Sequence, residues 1–338
     1  MTRALVLSGG GARGAFQVGV IHDLVENRGL DFDIFFGVSV GALNAAFMAQ
    51  TSKANDPLAN LQDQSKKLDR LWRNIDGNGD IYKKKAGFIG LALADDSLTD
   101  NEPLKKLLRA NLDPEDLQNS GRKYWCGAVS LVDGKYYEFD QTDPEILDRI
   151  IASTAIPAFF PPVNTRDHVY VDGGVRNITP LGRVFEQQPD EIYVILTSRL
   201  IKDDNGRIPD SGVMPHERSK WKDDWTGFKV NGFKILMRAI DILTDEIHLS
   251  DIREALMWNE AVRTLKGVDQ ASLSGSAKAR RKHLLMQRRA AKIHVIAPHI
   301  WWGKENDSTD FDRSLIRKYI RHGREIAADE QAWLVHEG

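Results

Sequence analysis

The sequence predicts a three-layer α/β/α fold, with a central, largely parallel sheet covered on both faces, a helical insertion and a helical C-terminal extension. Three observations carry this. Residues Ala4 to Ser8 form a short apolar run that ends in glycines, and Ala15 to Val25 resumes with Phe16, Val18, Val20, Ile21 and Leu24 at helical spacing. The unit repeats at once: Phe32 to Val38 is apolar and aromatic, Gly37 to Gly41 is a tight turn, and Ala42 to Ala49 is small-residue helix. Further apolar strands follow at Val169 to Asp172 and Glu191 to Thr197.

Between those strands, Thr51 to Asn119 is helical and more polar, with turn signals at Asp76-Gly77-Asn78-Gly79 and one apolar patch, Ala86 to Ala94. This segment reads as an insertion over the sheet. Lys123 to Leu131 and Lys135 to Asp140 flank Asp133-Gly134 and predict a hairpin, followed by a helix over Pro144 to Ala152 and the proline-rich run Ile156 to Val163. Beyond Arg199 the pattern predicts a loop through Pro215 and helices over Lys234 to Lys266 and Ala277 to Ala291. A strand at Ile293 to Ile296 and a closing helix from Phe311 complete the chain. Asp203 to Asp224, rich in Asp, Gly, Pro and Lys, reads as a mobile segment. The whole is expected to form one domain, 1–338, with a core of about residues 1–200 and an extension of about 201–338.

Composition narrows the function classes. The 46 Lys and Arg against 48 Asp and Glu leave a net charge of −2, so no whole-chain field favours a nucleic acid polymer. The lone cysteine, Cys126, excludes an intramolecular disulfide framework and a thiolate-rich zinc site, and reads as a small buried hydrophobe. No metal or cofactor is expected. The apolar run Ala4 to Leu7 is too short for a signal peptide, and no stretch approaches the roughly 18 apolar residues of a membrane span, so a cytoplasmic protein is expected. A homo-oligomer is compatible with the same composition.

Three elements carry chemistry. Gly37-Val38-Ser39-Val40-Gly41 fits G-x-S-x-G, a pattern found by chance in roughly one chain in ten of this length, but here it lies where a strand meets a helix, the turn that exposes a serine above a sheet. Ser39 as a helix cap is the plainer alternative. Gly9-Gly10-Gly11-Ala12-Arg13-Gly14 can turn backbone N–H groups toward an anion, as an oxyanion hole requires. It also satisfies G-x-G-x-x-G, so a nucleotide-binding regulatory module is the rival reading, with Asp31 or Asp33 at the distance of a ribose-binding acid. Val171-Asp172-Gly173-Gly174 places a carboxylate at the end of a short strand, either as a site residue or as a turn-forming Asx residue.

Taken together, the glycine loop Gly9 to Gly14, the elbow Gly37 to Gly41, the run Ala152-Ser153-Thr154-Ala155-Ile156-Pro157 to Pro161-Pro162-Val163 and Asp172-Gly173-Gly174 resemble the patatin-like phospholipase family. The resemblance covers about residues 1 to 200, and Phe311 to Ala327 resembles the family's closing helix. It implies a catalytic dyad in which Ser39 attacks an ester carbonyl of a phospholipid or lysophospholipid and Asp172 accepts its proton. It also implies that N–H groups of Gly10, Gly11, Ala12 and Arg13 hold the oxyanion, with Gly9, Gly14, Gly37, Gly41, Gly173 and Gly174 shaping the turns. Val40 stands where alanine is commoner and is expected to narrow the space beside the serine. Lipid would be met transiently at the membrane surface. Some proteins of this kind are effectors switched on by a cyclic dinucleotide, for which residues 203–292 offer room.

An α/β-hydrolase triad is the alternative within the same reaction class. His168 shares a strand face with Asp172 but sits roughly 13 Å deeper, whereas His294 and His299 fit the chain order Ser, Asp, His. Other features have plain readings. The basic stretch Lys278 to Lys292 is expected to be a solvated face paired with acids rather than a lipid contact, Trp301-Trp302 to pack over the sheet edge, and Phe88, Ile89, Leu91 and Leu93 to be core.

Overall fold

Both strand–turn–helix units are present. β1 (Arg3–Leu7) leads through a 3-10 turn, Gly11–Arg13, into α1 (Gly14–His22), and β2 (Ile34–Val38) leads through Ser39 into α2 (Val40–Ala49). The computed structural model describes residues 1–85, 96–200, 232–267, 289–300 and 307–337, together with 275, 276 and 279. The insertion supplies α3 (Pro57–Arg73), a ribbon of β3 (Lys83–Lys84) and β4 (Thr99–Asp100), α4 (Glu102–Asn111) and α5 (Pro114–Asn119). Asp56 caps α3 by accepting from the Ala59 N–H, which satisfies one orphan donor of its first turn.

The expected hairpin is β5 (Lys123–Ser130) and β6 (Tyr136–Asp140), followed by α6 (Ile146–Ser153), β7 (Val163–Asn164) and β8 (Val169–Asp172). Then come α7 (Leu181–Glu186), β9 (Glu191–Ile195), α8 (Gly232–Gly267), β10 (Lys292–Ile296), α9 (Arg313–Ala328) and β11 (Leu334–His336). Nine strands form one sheet in the order β11-β10-β9-β1-β2-β5-β8-β7, with β6 also on β5. Its centre, β10 to β5, is parallel, and its margins are antiparallel. The C-terminal third therefore does more than add helices, since β10 and β11 extend the main sheet.

One detail of register positions the site. β6 runs along one edge of β5 from Trp125 to Val129, so β2 and β8 must share the opposite edge, β2 beside Lys123 to Gly127 and β8 beside Ala128 to Ser130. The two strands meet head-on there. Asp172 thus reaches the C-terminal end of β2 on an antiparallel strand coming from the far side.

Side chains alternate across the sheet as strand geometry dictates. Leu5 and Leu7 pack with Phe16 and Val20 of α1, Met48 of α2 and Ile320 of α9, while Ala4 and Val6 pack on the other face with Val184 of α7 and Ile252 of α8. Burial of each large apolar side chain contributes roughly 1.5–3 kcal/mol, so both layers are held by the hydrophobic effect. Helices α1 and α9 cross closely because a Cβ on Gly19 would lie 2.1 Å from the Ile320 carbonyl oxygen. Cys126 is fully buried in β5, and burial pushes its thiol up to about 12, so it acts as a small hydrophobe.

The apolar patch Ala86 to Ala94, the segment Asp203 to Asp224 and Trp301-Trp302 lie outside the described residues, as does most of the helix expected over Ala277 to Ala291. Arg289 to Ala291, at its end, are not helical. The described part of the basic stretch is paired with acids, Arg289 with Asp190 at 2.6 Å and Lys292 with Glu337 at 3.0 Å. No helix among the described residues is long and apolar enough to cross a membrane.

Candidate active site

Ser39 sits on a strained turn. Its φ of 56° and ψ of −129° are unfavourable for a residue with a side chain, a cost of roughly 1–3 kcal/mol that surrounding structure must offset. The flanking glycines make the turn possible, because a Cβ on Gly37 would lie 2.1 Å from the Gly41 carbonyl oxygen. The Ser39 N–H donates to Ser153 Oγ at 2.9 Å, which ties the elbow to the end of α6. Ser39 caps no helix with its side chain. Its side chain instead lines one cavity with Asp172, near enough to favour the ionised form of that carboxyl.

Asp172 is 5% exposed, and its carboxylate also accepts from the Gly174 N–H at 2.7 Å. Burial raises its pKa to about 7, against the opposing effect of the Ser39 hydroxyl and the Gly174 N–H. Asp172 caps the turn Gly173–Val175 through the Gly174 N–H, as the Asx-turn reading expects, and lines one cavity with Ser39.

The glycine loop borders the same spot. Gly10 has φ 153°, and a Cβ there would overlap Thr197 Oγ1. The Gly9 N–H donates to the Ile178 carbonyl at 3.2 Å and the Arg13 N–H to the Gly10 carbonyl at 3.2 Å. Among the described residues the N–H groups of Gly10, Gly11 and Ala12 meet no acceptor. Gly14 begins α1 and its N–H turns back on Gly11 and Ala12 carbonyls. The buried Arg13 side chain reaches Ser198 Oγ at 3.4 Å.

Two cavities open onto Ser39. One, with 790 Å³ of space partly open to solvent, runs between α2, α3 and α4 and is lined by Val40, Leu43, Phe47, Leu68, Trp72, Leu104, Leu108 and Phe160 among others. Val40 forms part of this wall, as its position beside the serine suggested. The second, with 520 Å³, is bounded by Gly10, Gly11, Arg13, Asp172 and Gly174, and by Ile240 and Thr244 of α8.

No histidine is among the described residues that line either cavity. His168 Nδ1 lies 3.0 Å from Ser130 Oγ, His294 stacks on Tyr193 at 4.3 Å, and His299 Nε2 lies 3.4 Å from the Ala332 carbonyl. The acids of the nucleotide reading are engaged elsewhere, Asp31 with Arg122 and Asp33 with Lys53. No group of three or more metal-ligating side chains is found among the described residues.

The helix expected over Lys234 to Lys266 is present as α8, but sequence reasoning gave its residues no part in the site. Its buried face includes Asp245, His248, Leu249, Ile252, Ala255, Asn259 and Val262, a helical spacing in which polar residues occupy core positions. His248 Nδ1 lies 2.9 Å from Thr179 Oγ1, and burial lowers its pKa to about 4. Asp251 accepts from the N–H groups of Ile178 and Thr179 at 3.1 and 2.9 Å. Polar residues interrupting an apolar helix face were the available signal.

Comparison with known proteins gives this geometry its relatives. The chain is 29% identical over 197 residues to Uncharacterized protein YjjU of Escherichia coli, covering 57% of this chain and 51% of that protein. It is 25% identical to Uncharacterized NTE family protein Mb2594 of Mycobacterium bovis, covering 56% of this chain and 29% of that one. It is 24% identical to Lysophospholipase nte1 of Aspergillus terreus, covering 52% of this chain and 10% of that one. The chain thus spans about half or less of the length of these relatives. The solved structure of VipD from Legionella pneumophila aligns at a TM-score of 0.38 and 14% identity over 99% of this chain and 68% of that one, too low a likeness to bear on the fold. The model of the family described as Patatin-like phospholipase matches residues 5–185, more than half of the sequence and every element of the Ser39–Asp172 geometry, so the chain belongs to the patatin-like phospholipase family.

Proposed function

We propose that this protein hydrolyses acyl esters of phospholipids or lysophospholipids, with Ser39 as nucleophile and Asp172 as its base. The observation that carries the reading is the placement of Ser39, on its strained elbow, beside a buried carboxylate whose pKa burial has raised to about 7. A carboxylate with that pKa is basic enough to take a proton near neutrality and acidic enough to return it. Family membership and relatives bearing the name lysophospholipase support the substrate class.

In the proposed reaction Ser39 Oγ attacks the ester carbonyl carbon as its proton passes to Asp172, and the carbonyl oxygen becomes an oxyanion facing the free N–H groups of Gly10, Gly11 and Ala12. Each such donor contributes several kcal/mol, on the usual order for an oxyanion hole. Collapse breaks the bond to the alcohol, which leaves with the proton held by Asp172. Water, deprotonated by the same carboxylate, then attacks the Ser39 acyl ester and releases the fatty acid. The apolar cavity suits the acyl chain, with each buried methylene contributing roughly 0.8 kcal/mol. One hydrolase domain is the organisation we infer, since β10 and β11 complete the sheet that carries Ser39. It would work in the cytoplasm, meeting lipid at the membrane surface.

The test is a panel of phospholipids, lysophospholipids and neutral glycerides, with the Ser39→Ala variant as blank. Fatty acid release from the phosphate-bearing lipids by wild type alone is the expected result. Equal release by the blank, or none from any lipid, would overturn the reading.

A further inference from the structure

We propose that Asp251 is a positioning residue for hydrolysis, holding the oxyanion loop and the Asp172 turn in register from outside the segment matched by the family. The proposal rests on the Ser39–Asp172 reading. The family match ends at residue 185, yet α8, which spans residues 232–267, packs on the turn Gly173–Val175 and on α7. Beside the cavity wall formed by Ile240 and Thr244, it makes a polar contact next to the site, at Ile178 and Thr179.

Ile178 is bound on three sides. Its N–H donates to Asp251 Oδ2 at 3.1 Å, and the Thr179 N–H donates to the same oxygen at 2.9 Å. Its carbonyl accepts from the Gly9 N–H at 3.2 Å, at the base of the loop whose next three N–H groups meet no acceptor among the described residues. Its side chain fills the space between that loop and the base turn, since a Cβ on Gly9 would lie 3.0 Å from Ile178 Cγ1 and one on Gly174 3.3 Å from Ile178 Cδ1. One carboxylate oxygen thus fixes a peptide unit that touches both halves of the catalytic geometry. A shift of the Ile178 backbone would move the Gly10 to Ala12 donors and the Asp172 turn together. Misplacement of about 1 Å by a change remote from the reacting atoms can cost about a hundredfold in rate.

A purely structural anchor would act differently, and α8 provides one for comparison. Asn259, on the same buried face, donates to the Ala291 carbonyl and accepts from the Ala291 N–H, both at 2.9 Å, and so ties the helix to the start of β10 away from Ser39. Loss of either anchor should weaken the packing of α8, but only loss of Asp251 should disturb turnover.

The experiment compares wild type with Asp251→Ala, Asp251→Asn, Asp251→Glu and Asn259→Ala in the full chain. It reads kcat and KM on a medium-chain p-nitrophenyl ester, the labelling rate of Ser39 by a fluorophosphonate, and the thermal midpoint. Asp251→Ala should lower kcat and labelling by about a hundredfold with KM within about threefold, because orientation and not binding is lost. Asp251→Asn keeps an acceptor oxygen for both N–H groups and should restore kcat to within about fivefold of wild type. Asp251→Glu keeps the charge but displaces the acceptor by one methylene, and should be folded yet slowed about tenfold or more. It decides the question if the alanine variant does not fold. Asn259→Ala should lower the midpoint with kcat within about threefold of wild type. Wild-type kcat in a folded Asp251→Ala or Asp251→Glu variant, or equal loss of kcat in Asn259→Ala, would overturn the proposal while leaving the Ser39–Asp172 reading intact. A wild-type protein that neither hydrolyses the ester nor labels at Ser39 would overturn both.

Discussion

Asp172→Asn removes a buried ionisable group while keeping its shape, and its effects on stability and on turnover should have opposite signs. Burial raises the Asp172 pKa in the folded protein from 3.8 to about 7. In the unfolded chain the same carboxyl ionises near 3.8, so the proton that the native state retains up to about pH 7 stabilises it at low pH. That stabilisation is complete below the unfolded value and is lost as pH rises through the folded one. At about 1.36 kcal/mol per pH unit the gap corresponds to roughly 4 kcal/mol, undiminished by solvent because the side chain is only 5% exposed. About 3 kcal/mol of that is traversed between pH 5 and pH 8. The amide has no charge to bury, so the stability of the variant relative to wild type should rise by that amount across this range. Urea unfolding at several pH values measures the difference. Turnover should meanwhile fall by about two to four orders of magnitude, because the amide cannot take the proton from Ser39. A stability difference that stays flat from pH 5 to pH 8 would refute the claim that burial controls this carboxyl. Retained turnover would refute its role as base.

Ser39→Ala should abolish ester hydrolysis and fluorophosphonate labelling, and circular dichroism should show an intact fold. His168→Ala, His294→Ala and His299→Ala should each keep turnover within about tenfold of wild type, since their partners are Ser130, Tyr193 and Ala332; a folded histidine variant as inactive as Ser39→Ala would restore the triad. The acidic limb of the kcat/KM profile should fall near pH 7, the value of Asp172, which lies so close to an imidazole's that histidine replacement is the sharper discriminator. Leu108→Trp, which projects bulk into the apolar cavity, should shift the preferred acyl chain to shorter lengths, read as kcat/KM across a chain-length series. EDTA should leave turnover unchanged, because backbone N–H groups and no metal ion are proposed to hold the oxyanion.

The elements nearest the N-terminus were legible because their signals are local. A buried parallel strand reads as a continuous apolar run, and Gly37 is required by a clash within its own turn, with the Gly41 carbonyl. The direction of β8 was not legible, since Val169 to Asp172 has the same apolar pattern whichever way it pairs, and only register against β5 sets it. β11 escaped notice because Leu334–His336 is too short to show a period. Asp251 is the strongest case: its partners, the N–H groups of Ile178 and Thr179, lie more than 70 residues away in sequence, and nothing in a helix marks which distant peptide it will cap.

The head-on meeting of β2 and β8 along one edge of β5 makes the catalytic pair a reporter of strand pairing. Ala128 faces Asp172 across that edge, and successive side chains on β8 point to opposite faces of the sheet. If β8 slipped by a single residue, Val171 would take the place opposite Ala128 and the carboxylate would turn to the other face, away from Ser39. No intermediate register brings it part of the way. Misfolded or partly melted molecules in which β8 has re-paired should therefore be fully inactive rather than slow, and loss of activity on gentle heating should follow the fraction of molecules with broken β5–β8 pairing, not a gradual decline in every molecule.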